Sequence, residues 1–353
     1  MINVLFVPPN RNPWLSRTFV PGQDPNPFNI FLELEKQGIK AETFDPLSWP
    51  WNPFAGKDSL LQSFDPLRSF RIALDQRRID VIISIFEGAA ATLGFIKSVG
   101  LLRRPICVLD VGLTETWKLR RHVLDYVLPR SDGIMVLGSN QAAYIREKWN
   151  VKGQVFTIGH HLDVDFFRPV PAEQGSYILT VGEDVGRDFP TLIAATRSLD
   201  RELVIKAGRH PPDVAPDTKN IRVIRDRISF ADLRHLYAQS SVVVVPTHAT
   251  LNACGVSTIL EASAMGKPLV ISDNPGIHDF CIPDETCLMV PRGDPDAMRQ
   301  AIQRLLDDRN LRVRLTTNAR LFVERHCSDA AHAGRLADAV RSVLDRSRHS
   351  SQA

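Results

Sequence analysis

Short runs rich in β-branched residues recur along this 353-residue chain with helical patterns between them, and that alternation leaves few folds open. The runs are Ile2–Val7, Asp80–Ile85, Ile106–Leu109, Ile134–Leu137 and Val155–Ile158, then Tyr177–Val181, Leu203–Ile205, Ile221–Ile224, Val242–Val245 and Leu269–Ile271. A strand that is apolar on both faces must be covered on both sides, and a helix between successive strands makes the connection a parallel crossover. The expected class is therefore α/β, with two doubly wound, Rossmann-like parallel sheets of about five strands each. Pro169, Pro171 and Gly175 mark residues 160–176 as a connection. The domains are predicted at 1–165 and 166–330, facing one another across a cleft. A helical pattern at Leu336, Val340 and Leu344 predicts a C-terminal helix within 331–353 that packs back on the first domain and ends in a frayed polar tail.

Punctuation agrees with this reading. Asn26 and Pro27 predict the cap and first residue of a helix that Gly38 stops, and Asp294 and Pro295 open another. Net charge is only +3, all of it within residues 1–168, which excludes a broad nucleic-acid surface. Five cysteines without a CxxC spacing argue against a zinc site or a disulfide framework, and for a reducing compartment. With no signal-like start and no run of about 18 apolar residues, the expected location is the cytoplasm. Peripheral contact with the inner face of the membrane is a further expectation, through the aromatic loops Trp14–Phe28 and Trp49–Phe70 and through Arg68, Arg71, Arg77 and Arg78.

Ligands of such sheets bind beyond the carboxyl ends of the strands, so the loops there hold the candidate chemistry. After Val242–Pro246 a loop leads into a helix near Gly255, whose unpaired N–H groups and positive dipole end suit a phosphate. Ser257, Thr258 and Glu261 follow. Ser257 and Glu261 share a face about 6 Å apart along the axis, an offset that suits a phosphate at the helix mouth and a ribose diol one turn in. The plainer alternative is a cap followed by a solvated charge. After Tyr177–Val181 the loop from Gly182 to Asp188 can bring Arg187 over an anion, or Arg187 can be a surface charge neutralised by Glu183, Asp184 or Asp188. Lys206, Arg209, His210, Arg225 and Arg227 follow the next two strands. In the first half, Glu87 and Asp110 end strands and face the expected cleft, unless they only cap loops or lie at the surface. The pair His160–His161 is a poor metal site, and no dinucleotide, P-loop or hydrolase motif is present.

Taken in order, several stretches resemble the family 4 glycosyltransferases of the GT-B fold. They are Val155–Pro169, Ile178–Leu192 with Gly182 and Arg187, Leu203–Gly208, Asp232–Ala238, Gly255–Pro268 with Glu261, and Asn274–Gly276. The resemblance implies retaining transfer of a sugar from a nucleotide diphosphate donor to a glycan, lipid-linked or small-molecule acceptor. It implies no cofactor and no metal, and a place in polysaccharide or glycoconjugate synthesis. Glu261 matches the second glutamate of the family's Glu-x7-Glu motif, which holds the ribose, and Arg187 the arginine that neutralises the diphosphate. The first glutamate of that motif falls on Ala253, so Asn252 becomes the candidate for the sugar, and Lys206 replaces the family's lysine. Gly182, Gly255, Ser257 and Thr258 complete the donor side. Asp110 is the expected residue near the transferred sugar, and Asn10, Arg11 and Glu87 are the expected residues of the acceptor side. Two other readings stay open: a nucleotide-sugar epimerase of the same fold, and a non-catalytic subunit that binds nucleotide sugars or glycans.

Overall fold

A computed structural model describes residues 1–8, 20–26, 28–44, 65–110, 118–170, 175–214 and 220–350. The chain divides into two units, Met1–Phe19, Pro27–Gly159 and His332–Ala353 in one, Val20–Asn26 and His160–Ala331 in the other.

The first unit runs β1 (Ile2–Val7), α1 (Asn29–Lys36), β2 (Ile39–Thr43), α2 (Pro66–Leu74), β3 (Val81–Ile85), α3 (Glu87–Ser98), β4 (Ile106–Asp110), α4 (Lys118–Val127), β5 (Gly133–Val136), α5 (Ser139–Lys148) and β6 (Gln154–Thr157). Its sheet is parallel throughout, in the order β2-β1-β3-β4-β5-β6. The second unit runs β7 (Tyr177–Val181), α6 (Phe189–Thr196), β8 (Glu202–Lys206), β9 (Ile221–Ile224), α7 (Phe230–Gln239), β10 (Ser240–Val245), α8 (Val256–Ala264), β11 (Leu269–Ser272), β12 (Leu288–Val290), α9 (Pro295–Asp307) and α10 (Arg309–His326). Here the order is β12-β11-β10-β7-β8-β9, again all parallel. A last helix, α11 (Asp329–Ser350), returns to the first unit from His332 onward.

Side chains alternate between the faces of a strand, and the cores follow that period. In the first unit Val4, Phe6, Val81 and Ile83 pack with Leu336, Ala337 and Val340 of α11, whereas Leu5, Val7 and Ile82 pack with Ile72 of α2 and Leu93 of α3. In the second, Ile178, Leu203, Ile205 and Val242 pack with Leu192 of α6 and Met298, Ile302 and Leu305 of α9. Asp294 caps α9 by accepting from the N–H groups of Asp296 and Ala297, worth about 1 kcal/mol.

Each sheet has six strands, one more than the apolar runs indicated. The additions are edge strands. In β2 the residues Ile39–Thr43 alternate with lysine and glutamate, and β12 is only three residues long, so neither makes an apolar run. Helix α1 begins at Asn29 after Phe28, not at Asn26, because the Asn26 N–H donates to Asp163 Oδ2 at 2.9 Å. Arg68 is fully buried and donates to the Pro8 carbonyl at 2.8 Å, which removes it from the set of membrane-facing cations. Helix α11 continues to Ser350 through the stretch expected to fray, and residues 351–353 lie outside the described ones. All five cysteines are free and buried. Among the described residues no helix is long and apolar enough to cross a membrane.

Candidate active site

The strand order of the second unit reverses between β7 and β10: from β7 the chain winds outward through β8 and β9, and from β10 the other way through β11 and β12. The loops that leave the carboxyl ends of those two strands therefore diverge, which opens a crevice there. Residues 182–188 and 246–255 form its two sides. A short antiparallel contact ties them together: Arg187 pairs with Thr247, the Asp188 N–H donates to the Pro246 carbonyl at 3.1 Å, and the His248 N–H donates to the Gly186 carbonyl at 2.9 Å.

Arg187 lies across this crevice, 6% exposed. Its Nη2 donates to Thr258 Oγ1 at 2.9 Å, and the Thr258 hydroxyl donates onward to the Val181 carbonyl at 2.9 Å. Nε is 3.9 Å from Asp184 Oδ2, too far for a hydrogen bond, and among the described residues Nε and Nη1, both buried, have no hydrogen-bond partner. Two glycines make the room. A Cβ on Gly182 would stand 2.4 Å from Arg187 Nε; one on Gly255 would stand 2.5 Å from Val245 Cγ1 and 3.3 Å from Arg187 Nη1. Gly255 also has a φ of 86°, a left-handed conformation that other residues avoid. It caps α8 without any side-chain hydrogen bond, so the first-turn N–H groups of the helix lack a side-chain acceptor beside a cation with two unused donors. Thr247 Oγ1 and Asn252 Oδ1 are likewise buried without a partner.

Glu261, one turn beyond Thr258, is 9% exposed and accepts from the Tyr237 hydroxyl at 2.6 Å through Oε2. Burial pushes its carboxyl up to about 7, against the lowering effect of the Tyr237 hydrogen bond and of Arg187. Tyr237, at the end of α7, is fully buried, and desolvation together with Glu261 raises its hydroxyl well above the usual range.

The residues singled out in the sequence separate into groups. Arg187, Gly182, Gly255, Thr258 and Glu261 come together at the β7–β10 crevice, with Asn252 in the loop before α8. Ser257 is exposed on the first turn of α8, and it is Thr258, one residue on, that faces Arg187. Lys206 is 6% exposed but engaged: it donates to Glu183 Oε1 at 2.8 Å, and Glu183 also accepts from the N–H groups of Gly208 and Arg209. Burial works to raise the Glu183 carboxyl, and these donors together hold it below its ordinary value. Asp188 caps α6 through Thr191. Arg209, His210, Arg225 and Arg227 are exposed. His161 Nδ1 lies 2.6 Å from Asp329 Oδ1, which anchors the connector. In the first unit Glu87 is buried in the first turn of α3, after Phe86, whose φ of 64° is left-handed. Asp110 closes β4, but its side chain, Asn10 and Arg11 lie outside the described residues.

Sequence reasoning gave no role to Tyr237, which looks like a core aromatic on its helix, nor to Asn274. Asn274 is fully buried and donates to the His248 carbonyl and to Thr250 Oγ1, both at 3.1 Å, fixing the loop before α8.

Residues 184–308, which span this crevice, match the family model "Glycosyl transferases group 1". The chain is similar to the alpha-D-kanosaminyltransferase of Streptomyces kanamyceticus, 31% identical over 179 residues, which are 47% of this chain and 45% of that protein. It spans less than half the length of the curated relatives it matches. Among solved structures, sucrose-phosphate synthase from Thermosynechococcus elongatus superposes with a TM-score of 0.72 at 18% identity, covering 98% of this chain and 100% of that one. HepE from Anabaena in complex with UDP and glucose gives 0.68 at 13% identity, covering 97% and 100%. With two doubly wound parallel sheets the chain has the GT-B fold, and residues 184–308 of its second unit are similar to the group 1 glycosyl transferases.

Proposed function

We propose that the chain is a glycosyltransferase whose second unit binds a nucleotide diphosphate sugar at the β7–β10 crevice and moves the sugar, with retention of configuration, to a glycan, lipid-linked or small-molecule acceptor. The observation that carries this reading is Arg187. A buried guanidinium with two donors unpaired is costly, and a diphosphate supplies the missing acceptors. Arg187 takes the diphosphate oxygens in a fork, and the first turn of α8 takes them from the other side. As the sugar departs, negative charge grows on the diphosphate, and donors already in place stabilise it without reorganisation.

Glu261 accepts from the ribose diol below the helix mouth, and Asn252 meets hydroxyls of the transferred sugar in the position where Ala253 brings no carboxylate. Lys206 acts through Glu183 at the edge of this site, because its ammonium is already paired. Glu87, which opens α3, and Asp110, which ends β4, belong to the acceptor side. The binding of UDP by HepE supports a nucleoside diphosphate as the donor's leaving group.

A thermal-shift and calorimetric screen against UDP, GDP, ADP and dTDP and their sugars tests the reading, followed by NMR of the product's anomeric proton. Binding of a nucleoside diphosphate and a product with the donor's anomeric configuration are expected. Binding without transfer across an acceptor panel contradicts the enzyme reading, and release of an epimerised donor without acceptor contradicts the reaction.

A further inference from the structure

We propose that Tyr237 is a positioning residue for donor binding: from α7 it grips one oxygen of the Glu261 carboxylate and so presents the other, ionised, to the ribose diol. This rests on the ribose role of Glu261 and adds a residue and a pH dependence to it.

The geometry is specific. Tyr237 and Glu261 are 24 residues apart, on helices α7 and α8, and their side chains meet at 2.6 Å in a buried contact. Among the described residues no other side chain donates to the Glu261 carboxylate, so Oε2 is engaged and Oε1 is not. A carboxylate oxygen accepts from a vicinal diol best when its rotation is restrained, and the Tyr237 bond to Oε2 together with burial restrains it and leaves Oε1 for the diol. The phenol remains a neutral donor over the whole working range, because burial and Glu261 hold its proton in place. Tyr237 itself is held by its helix, which ends one residue before β10 at Gln239, and by full burial of the ring.

Ionisation of Glu261 depends on few groups. Tyr237 faces it from α7 and Arg187 from the β7–α6 loop, and both favour the charged form. At the far end of α8, Arg320 of α10 donates to the Ala264 carbonyl and pairs with Glu324 on its own helix, and Lys267 donates to the Ala238 and Ser240 carbonyls, so neither cation faces the Glu261 carboxylate. The neighbouring strands β10 and β11 contain only Ser, Val, Leu and Ile and contribute no charge. Burial raises the Glu261 carboxyl to about 7 and the Tyr237 hydrogen bond works against that rise, so losing the bond moves the carboxyl further up. Tyr237→Phe removes that bond, together with the contact of the Tyr237 hydroxyl with Thr258, the partner of Arg187.

The test uses the full chain and whichever of UDP, GDP and ADP binds it most tightly, beside the 2′,3′-dideoxy counterpart of that nucleotide. The unaltered protein is expected to prefer the ribonucleotide by about tenfold at pH 8 and to lose part of that preference below pH 7. Tyr237→Phe should cut the preference several-fold at pH 7 and regain it at pH 9, with a raised donor KM and nearly unchanged kcat. Glu261→Gln should abolish it at every pH. If Glu261→Gln abolishes the preference while Tyr237→Phe keeps it unaltered from pH 6 to 9, the positioning role is wrong and the ribose role stands. If Glu261→Gln leaves the preference intact, the ribose role itself fails. Equal weakening of both nucleotides by Tyr237→Phe at all pH values marks a merely structural tyrosine and also overturns the proposal. Should Tyr237→Phe fold poorly, 3-fluorotyrosine at position 237, a stronger donor of the same shape, should move the Glu261 carboxyl midpoint downward in carbon-13 NMR; an unmoved midpoint counts against the proposal.

Discussion

Arg187 and Lys206 invite comparison, because they follow or end adjacent strands of one sheet, are equally buried at 6% exposure, and each has an acidic neighbour in the loop after β7. Lys206 has what a buried cation needs. Its ammonium meets Glu183 at 2.8 Å, and Glu183 is further held by two main-chain N–H groups. Arg187 is placed differently: one nitrogen is tied to Thr258, the nearest carboxylate stands at 3.9 Å, and two donors face no acceptor. Burial and charge alone do not mark a ligand site; the unfilled hydrogen-bonding capacity of a held cation does. The lysine is satisfied within the protein, and the arginine keeps two nitrogens for the proposed diphosphate.

Substitutions can break this contrast, and the largest effect is expected at Arg187. Arg187→Ala should lower turnover by about 100-fold or more, the size found when a prepared donor to a developing charge is removed. Arg187→Lys should recover only part of that, since an ammonium keeps the charge but not the fork. Steady-state kinetics with saturating donor checks both.

Gly182→Ala reaches the same residue indirectly. A methyl placed 2.4 Å from Nε must displace the guanidinium, so activity should fall about tenfold with little change in melting temperature.

Glu261→Gln should weaken donor binding by about tenfold, read by calorimetry, and yet stabilise the fold at alkaline pH. In the folded protein the carboxyl is raised to about 7 from an ordinary 4.5, so it keeps a proton that the unfolded chain releases between those values. Glu261 therefore costs stability increasingly as pH rises from about 4.5 to 7 and by a constant amount above that. The limit is about 3 kcal/mol at 1.36 kcal/mol per pKa unit. Denaturant melts should show the glutamine variant equal to the unaltered protein near pH 4.5 and more stable at pH 8. A variant less stable at pH 8 would contradict the burial argument.

Lys206→Met should do least to catalysis, with donor affinity changed by no more than about threefold. Its effect should be on the fold, a loss of about 1 kcal/mol as Glu183 keeps only main-chain donors. An effect as large as that of Arg187→Ala would erase the distinction between the two cations.

Much of the architecture was legible because it is written locally. Strands such as Val242–Val245, apolar on both faces, announce a covered parallel sheet, and the edge strand Ile39–Thr43 escapes because its solvent-facing positions carry lysine and glutamate. The meeting of Arg187 with the head of α8 was approachable for a similar reason: both stand directly after strands, where a doubly wound sheet gathers its loops. Which hydroxyl faces the arginine was not. Ser257 and Thr258 differ by one residue, about 100° around the helix, and only packing decides between them. Nor could the sequence show that Glu183 engages Lys206, or that Tyr237 reaches Glu261 from another helix, because both contacts join segments whose distance is set by the sheet.

The central claim is that Arg187 holds a diphosphate with donors the protein leaves unfilled. Calorimetry of the full chain with a nucleoside diphosphate, compared with the matching monophosphate and repeated for Arg187→Ala, addresses it directly. The diphosphate should bind at least tenfold more tightly than the monophosphate, and this advantage should disappear in Arg187→Ala. An advantage that survives the substitution would place the diphosphate elsewhere and contradict the account.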